Sequence, residues 1–236
     1  MPLTFLITSG PTKEYIDPVR YICNDSSGKM GAALACRALK KNHKVIFITG
    51  SSEASLPRAA KIIKVTSALD MFKSVKDNFK KADIIIGAAA VADFRPVLRS
   101  RHKIKKGTKS PRLLIKLQKN PDIIAYCGKN KKKQVVAGFA LETQNLILNA
   151  EKKLKNKNLD LIIANNKQSL GSDKTTVHLI TANSVIARKK TKFSDEAIQA
   201  FAVKSLKQAS KNIIAGKIID ETIRIFERIK AGKKNS

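Results

Sequence analysis

Four short segments combine residue types that could do chemistry. Ser26-Ser27-Gly28-Lys29-Met30-Gly31 falls where a helical pattern begins. Exposed backbone N–H groups and the positive dipole end make such a place an anion site, with serine hydroxyls as further donors. The plain structural alternative is a serine N-cap with glycines kept for packing. Gly87-Ala88-Ala89-Ala90-Val91-Ala92-Asp93-Phe94 sets small residues at a strand end and then one carboxylate. Such an Asp beside phosphates could hold Mg²⁺, or could simply cap a helix. His102-Lys103-Ile104-Lys105-Lys106-Gly107 is a cation cluster able to clamp phosphates, or a solvated charge run. Asn120-Pro121-Asp122 is a helix-start signal.

The elements that must position these segments follow from the hydrophobic pattern. Thr4–Thr8, Val45–Thr49, Asp83–Ala89, Val135–Phe139 and Leu161–Ala164 read as strands buried on both faces. Between them, Lys29–Lys41, Ser67–Phe79 and Leu146–Lys157 carry apolar residues at helical spacing: Met30, Leu34 and Ala38 in the first, Leu69, Phe72, Val75 and Phe79 in the second, Leu146, Ala150 and Leu154 in the third. The alternation predicts an α/β, Rossmann-like fold, a mainly parallel sheet flanked by helices, with ligands beyond the carboxyl ends of the strands. Arg95–Arg112 reads as a long basic loop of the kind used as a lid. Farther on, Thr176–Ile180 and Ser184–Ala187 predict a small hairpin-like β extension, followed by helices over Asp195–Leu206 and Ser210–Ile229. The expected organisation is a single domain over residues 1–230 with a basic tail at 231–236.

Two nucleotide motifs fail. The link from Gly10 to Gly28 is too long for a dinucleotide turn and has no GxG. A P-loop would need Ser or Thr after Gly28-Lys29, where Met30 stands, and glycine at Cys23. Glu53, after Gly50-Ser51-Ser52, is the acidic residue an NAD(P) oxidoreductase would want, but the turn is wrong.

The 236 residues hold 47 Lys+Arg against 18 Asp+Glu, a formal charge of +29, with 43% hydrophobic residues. That fraction excludes a mainly disordered chain. The charge suggests anionic partners or a Lys-rich solvated surface, since Lys outnumbers Arg 37 to 10. A basic nucleic-acid-binding module would want clustered Arg with aromatics, whereas Trp is absent and aromatics are 5%. No apolar run approaches the roughly 20 residues of a membrane span. Cys23, Cys36 and Cys127 form no CxxC pair, which favours a reducing cytoplasm over a disulfide framework or zinc site.

Taken together, ITSGPTKEYIDPVRYICNDSSGKMG, DIIIGAAAVADFRP, KIKK, NPDIIA, VVAGFALET and KLKNKNLDLIIANN resemble the phosphopantothenoylcysteine synthetase (phosphopantothenate–cysteine ligase) family, in family order from Thr8 to Asn166. The resemblance implies a ligase of coenzyme A biosynthesis. It would activate the carboxylate of 4′-phosphopantothenate with CTP and Mg²⁺, then join the acyl-cytidylate to L-cysteine. By resemblance, Asn24 contacts the substrate carboxyl and Lys103 is the lid lysine, the two catalytic candidates. Gly10, Ser26, Gly28, Gly31, Gly87, Ala88, Ala89, Asp93, Lys103, Pro121, Asp122, Ile123, Ile124, Phe139, Lys153, Lys157 and Asn165 would line the nucleotide. Ala89 and Ala90 would flank phosphopantothenate, and Asp93 would serve the metal. The family also implies a homodimer, and a phosphopantothenoylcysteine decarboxylase activity supplied by a separate protein. SSGKMG and AAAVAD look bacterial and CTP-dependent. Leu141 in FALET follows the ATP-using pattern, and about 185–209 does not align.

Overall fold

Steric and hydrogen-bonding demands place the strand order before any chemistry. The computed structural model describes residues 1–52, 54–105, 112–142, 144–166, 174–182 and 201–232. In chain order these form β1 (Thr4–Ser9), β2 (Lys13–Tyr15), β3 (Tyr21–Cys23), α1 (Lys29–Lys40), β4 (Lys44–Thr49), β5 (Lys61–Lys64), α2 (Ala68–Phe79), β6 (Ile84–Gly87), β7 (Phe94–Pro96) and β8 (Leu117–Lys119). Then follow α3 (Ile123–Asn130), β9 (Val135–Glu142), α4 (Leu146–Asn156), β10 (Leu161–Asn166), β11 (Lys174–Ala182), β12 (Phe201–Ser210) and α5 (Lys211–Gly232). The chain divides into two compact units, Met1–Ile123 and Ile124–Ser236.

In the first unit β5-β4-β1-β6 run parallel, with Phe5 opposite both Val45 and Ile84. Phe5, Leu6, Ile7, Ile48, Ile84 and Ile86 are almost fully buried, which is why these strands read as continuous apolar runs. α1 covers the sheet with Ala32, Ala33, Leu34, Ala35 and Ala38, small side chains that let helix and strand approach closely. α2 begins at a capping box: Ser67 accepts from the Asp70 N–H, and Asp70 accepts from the Ser67 N–H. Its buried face is Ala68, Met71, Val75 and Phe79. The expected stripe through Leu69 and Phe72 is therefore rotated. Leu69 is exposed and Phe72 lies under the Lys76 ammonium, because Ala68, adjacent to the cap, takes the inward position.

In the second unit β9 and β10 are parallel, while β11 and β12 add antiparallel strands. The β extension is thus present, but its partner differs from expectation. β11 pairs with Phe201–Ser210, Ile180 opposite Val203 and Val177 opposite Leu206. Residues 201–206 are consequently strand and not the end of a helix; a ladder of backbone bonds outweighs their weak helical pattern. Ser184–Ala187 and residues 195–200 lie outside the described residues, as do Glu53, Lys106, Gly107 and the last four residues. α5 forms as expected and buries Ile214, Ala215, Ile218, Ile219 and Ile225. The fold is α/β and Rossmann-like, with a mainly parallel sheet flanked by helices, five of them among the described residues. Strands β2, β3, β5, β7 and β8 are too short or too polar to stand out by periodicity. β7 and β8 pair antiparallel on either side of the expected loop, with Phe94 opposite Lys119, so that Arg95 and Pro96 are strand and not loop.

Candidate active site

The carboxyl ends of β1, β4 and β6 lie side by side, because the three strands are parallel and in register. Each is followed by a loop of small residues, and the backbone ties these loops together. The Gly50 N–H donates to the Ser9 carbonyl (3.0 Å), Ser51 to Pro11 (3.1 Å), Ala88 to Thr8 (3.2 Å) and Ala90 to Gly10 (3.0 Å). Side-chain hydroxyls complete the lattice: Thr8 Oγ1 accepts from the Ala89 N–H (3.3 Å) and Thr12 Oγ1 from the Ala92 N–H (3.0 Å).

The N-terminus of α1 is clamped to the same place. Ser9 Oγ donates to the Gly28 carbonyl (3.1 Å) and Ser52 Oγ to the Ser27 carbonyl (3.2 Å). Gly28 is the N-cap at φ 73°, with no side-chain cap bond and no acidic residue in the first turn. A Cβ there would lie 2.4 Å from Ser52 Oγ and 3.3 Å from the Gly10 Cα, so only glycine fits both the left-handed backbone and the space. Ser26 Oγ accepts from the Gly28 N–H at 3.4 Å, a weak bond inside the loop. At Gly31 a Cβ would meet Ser9 Oγ at 2.3 Å and Ser9 Cβ at 2.5 Å; the glycine is needed so that α1 can sit on β1.

Asn24 is exposed, and its Nδ2 donates to the Val91 carbonyl at 3.0 Å. This bond ties the amide to Val91, on the loop after β6 that also carries Ala88, Ala89 and Ala90. Asp93 is exposed, and its carbonyl accepts from the Asn120 N–H (2.8 Å), while Asn120 Nδ2 donates to the Ala92 carbonyl (2.8 Å). Arg95 Nη1 holds Asn120 Oδ1 (3.0 Å) and the Lys119 carbonyl (2.6 Å). Pro121, Asp122 and Ile123 follow directly, so the corner that starts α3 is fastened to Asp93. The structure therefore brings Gly10, Asn24, Ser26, Gly28, Gly31, Gly87, Ala88, Ala89 and Ala90 together around three loops, with Asp93 on the last of them.

Lys103 is exposed on the segment after Ser100. The carboxylate of Asp17, fully buried, accepts from the Val19 and Arg20 N–H groups (2.9 Å each) and from the Ile104 N–H (3.1 Å), and forms a two-point pair with Arg20. Burial alone would raise its pKa. The Arg20 guanidinium and the three N–H groups outweigh that, and hold the carboxyl well below the usual carboxylate range. Burial pushes the Cys23 thiol up, with Asp25 adding to the effect and Lys13 opposing it.

In the second unit, Ile124 packs at Gly138, one residue before half-buried Phe139. Lys153 Nζ meets Glu142 Oε1 at 2.5 Å, and Asn149 Nδ2 donates to Glu142 Oε2 (3.2 Å). The ammonium expected to reach a nucleotide is thus steered by Glu142 at the end of β9. Lys157 is the C-cap of α4, one position beyond the helix expected to include it. Asn165 lies on β10 opposite Leu141.

Sequence reasoning passed over Asp17, Arg20, Thr8, Thr12 and Glu142, and took Asn120 only as a helix-start signal. An Asp-Pro pair followed by Arg signals a side-chain-bonded turn, and could have drawn attention to Asp17. The two threonines carry no comparable signal. Among the described residues no group of three His, Cys, Asp or Glu could hold a metal unaided. No helix among them is long and apolar enough to cross a membrane.

Comparison with known proteins places this geometry. A family model described as the DNA/pantothenate metabolism flavoprotein C-terminal domain matches residues 2–202. The Coenzyme A biosynthesis bifunctional protein CoaBC of Borreliella burgdorferi is 49% identical over 182 residues, covering 76% of this chain and 46% of that protein. The CoaBC protein of Escherichia coli is 43% identical over 183 residues, 75% of this chain and 45% of that one. The chain thus spans about half the length of these relatives. A crystal structure of the C-terminal domain of CoaBC superposes with TM-score 0.75 at 31% identity, covering 96% of both chains. The DNA/pantothenate metabolism flavoprotein from Streptococcus pneumoniae shares the fold (TM-score 0.77, 22% identity, 95% and 99% covered). The chain belongs to the DNA/pantothenate metabolism flavoprotein C-terminal domain family.

Proposed function

We propose that the chain is a phosphopantothenate–cysteine ligase of coenzyme A biosynthesis, using CTP with Mg²⁺ and working as a cytoplasmic homodimer. The observation that carries the reading is the Asn24 amide, held on the Val91 carbonyl beside the Gly10–Gly28 cradle. The similarity to CoaBC supports the substrate class.

In the first half-reaction the 4′-phosphopantothenate carboxylate attacks the α-phosphorus of CTP; the bond to the bridging oxygen breaks and pyrophosphate leaves. In the second, the cysteine amine attacks the acyl carbon, the acyl–phosphate bond breaks and CMP leaves. No enzyme nucleophile is consumed. The chain's work is to position groups and balance charge. The α1 N-terminus, capped by Gly28 and free of acids in its first turn, suits a phosphate. Asn24 can donate to the carbonyl oxygen in both half-reactions without adding charge. Lys103 offsets charge from the lid.

A lone exposed carboxylate at Asp93 fits a Mg²⁺ held chiefly by nucleotide phosphates better than one caged by protein. That ion would neutralise triphosphate charge when bound. Lys153 and Asn165, with Phe139, are the second unit's candidates for the nucleotide.

A coupled pyrophosphate assay tests the reading. Release is expected only with 4′-phosphopantothenate, Mg²⁺ and CTP together, and the cysteine adduct only when L-cysteine is added. Equal or faster turnover with ATP would overturn the nucleotide choice, and no turnover with either would overturn the ligase reading.

A further inference from the structure

The lid lysine has an anchor that the chemistry above does not use. From Arg99 to Ile104 the chain runs along the segment Tyr15–Arg20. The Arg99 guanidinium stacks over the Tyr15 ring at 4.8 Å, and the Ser100 N–H donates to the Ile16 carbonyl at 2.9 Å. Ser100 Oγ donates to the His102 carbonyl (2.6 Å), folding the backbone just before Lys103. At Ile104 both backbone polar groups are taken: its N–H goes to Asp17 Oδ2 (3.1 Å) and its carbonyl accepts from Arg20 Nη2 (2.6 Å).

A flexible lysine on a surface loop would sample many positions and lose binding entropy on ordering. A backbone gripped at the next residue on both its donor and its acceptor has far fewer. The grip is strong because the Asp17 carboxylate is buried and ionised, with four further bonds orienting it toward Ile104.

We propose that Asp17, together with Arg20, is a positioning residue for catalysis: the pair clamps the Ile104 peptide and so aims the Lys103 ammonium at the phosphates. Asp17 itself touches no substrate. The inference rests on the ligase reading for what Lys103 does, but the clamp itself can be measured without turnover.

Two readouts on the full chain test it. Amide hydrogen exchange over residues 99–105 reads the clamp directly. Asp17→Asn removes the charge and an acceptor, so exchange should quicken at least about tenfold, as expected for a loop whose local opening has become easier. Unchanged exchange overturns the proposal. The pyrophosphate assay then reads the consequence as a double-mutant cycle. Asp17→Asn should cost about tenfold in kcat/KM in the wild-type background and less than about twofold in a Lys103→Ala background. Equal costs in both would mean that Asp17 does not act through Lys103, and would overturn the positioning role.

Should Asp17→Asn fail to fold, Arg20→Lys replaces it. That side chain is 43% exposed, and lysine keeps a cation beside Asp17 while losing the fork that spans to the Ile104 carbonyl. The same exchange and cycle criteria apply. If wild-type protein releases no pyrophosphate, the ligase reading fails, while the exchange result still decides the clamp.

Discussion

Gly31→Ala sets two physical expectations against each other. Helix propensity alone says that alanine should stabilise α1, by up to about 1 kcal/mol. The packing says the reverse. The new Cβ would fall 2.3 Å from Ser9 Oγ, 2.5 Å from Ser9 Cβ and 3.1 Å from Ser9 Cα. Ordinary carbon contacts need about 3.5–4.0 Å, so helix and strand must separate by about 1 Å. Ser9 is fully buried on β1 and cannot swing away without giving up its bond to the Gly28 carbonyl. Overpacking costs about 1–3 kcal/mol and the lost buried bond about 1 more. Set against the propensity gain, the net is about 2 kcal/mol of destabilisation. For a chain of this size that is a fall in Tm of roughly 4–8 °C. Differential scanning calorimetry reads it. The paired variant Ser9→Gly with Gly31→Ala, which removes both offending Ser9 atoms, should recover part of the loss. A Tm for Gly31→Ala equal to or above wild type would refute the packing argument, and with it the claim that glycine spacing in this segment is set by helix-on-strand contact.

Three further outcomes follow from side-chain bonds in the first unit. Asn24→Asp replaces the amide donor to the Val91 carbonyl with an oxygen at 3.0 Å, adding repulsion there and toward anionic substrate. Turnover in the pyrophosphate assay should fall at least about tenfold, roughly 1.4 kcal/mol. Ser67→Ala should cost about 1 kcal/mol through the lost N-cap of α2, read by chemical denaturation. Asp70 in the same cap is held below its ordinary range chiefly by the Ser67 N–H, against the opposing effect of burial. Its stabilisation is therefore complete above the unfolded value of about 3.9 and lost as pH falls through the lower folded value. The stability gap between wild type and Asp70→Asn should be constant near neutrality and close in acid.

The buried strands were legible because a parallel sheet covered on both faces writes itself as uninterrupted apolar runs such as Phe5–Ile7 and Ile84–Ile86. α2 was legible from Val75 and Phe79 at helical spacing, both on its buried face, although Leu69 of the same expected stripe is exposed. What the chain's pattern hid had physical reasons. β2, β3, β7 and β8 are three residues each, shorter than any period can declare. β12 buries one residue, Leu206, along its inner run, so nothing in its alternation competes with a helical reading; its state is decided by β11 across the ladder. In the site, the family pattern pointed to Gly10, Gly28 and Gly31, but not to why they are glycines. Gly28 answers to a left-handed backbone against Ser52, and Gly31 to Ser9 on the neighbouring strand. Those reasons lie in contacts between residues 22 to 24 positions apart, which spacing alone does not encode.

The charge separates into two roles once the cradle is known. With 18 acids for 47 Lys and Arg, ion pairing can neutralise at most 18 cations, so a positive field of order +29 survives whatever pairs form. Among the cations that are paired are Arg20 with Asp17, Lys131 with Asp160 and Lys153 with Glu142. A field of that kind attracts any polyanion and is screened within about 10 Å at ordinary salt. It can hasten capture of a phosphorylated substrate, but it cannot tell one from another. Discrimination must come from short-range donors with fixed directions. Around Gly10 and Gly28 the proposed donors are the start of α1, capped by Gly28, and the Asn24 amide, held on the Val91 carbonyl at 3.0 Å. On the proposed ligase reading, the lysines would gather anions and the neutral glycine loops would decide which anion fits.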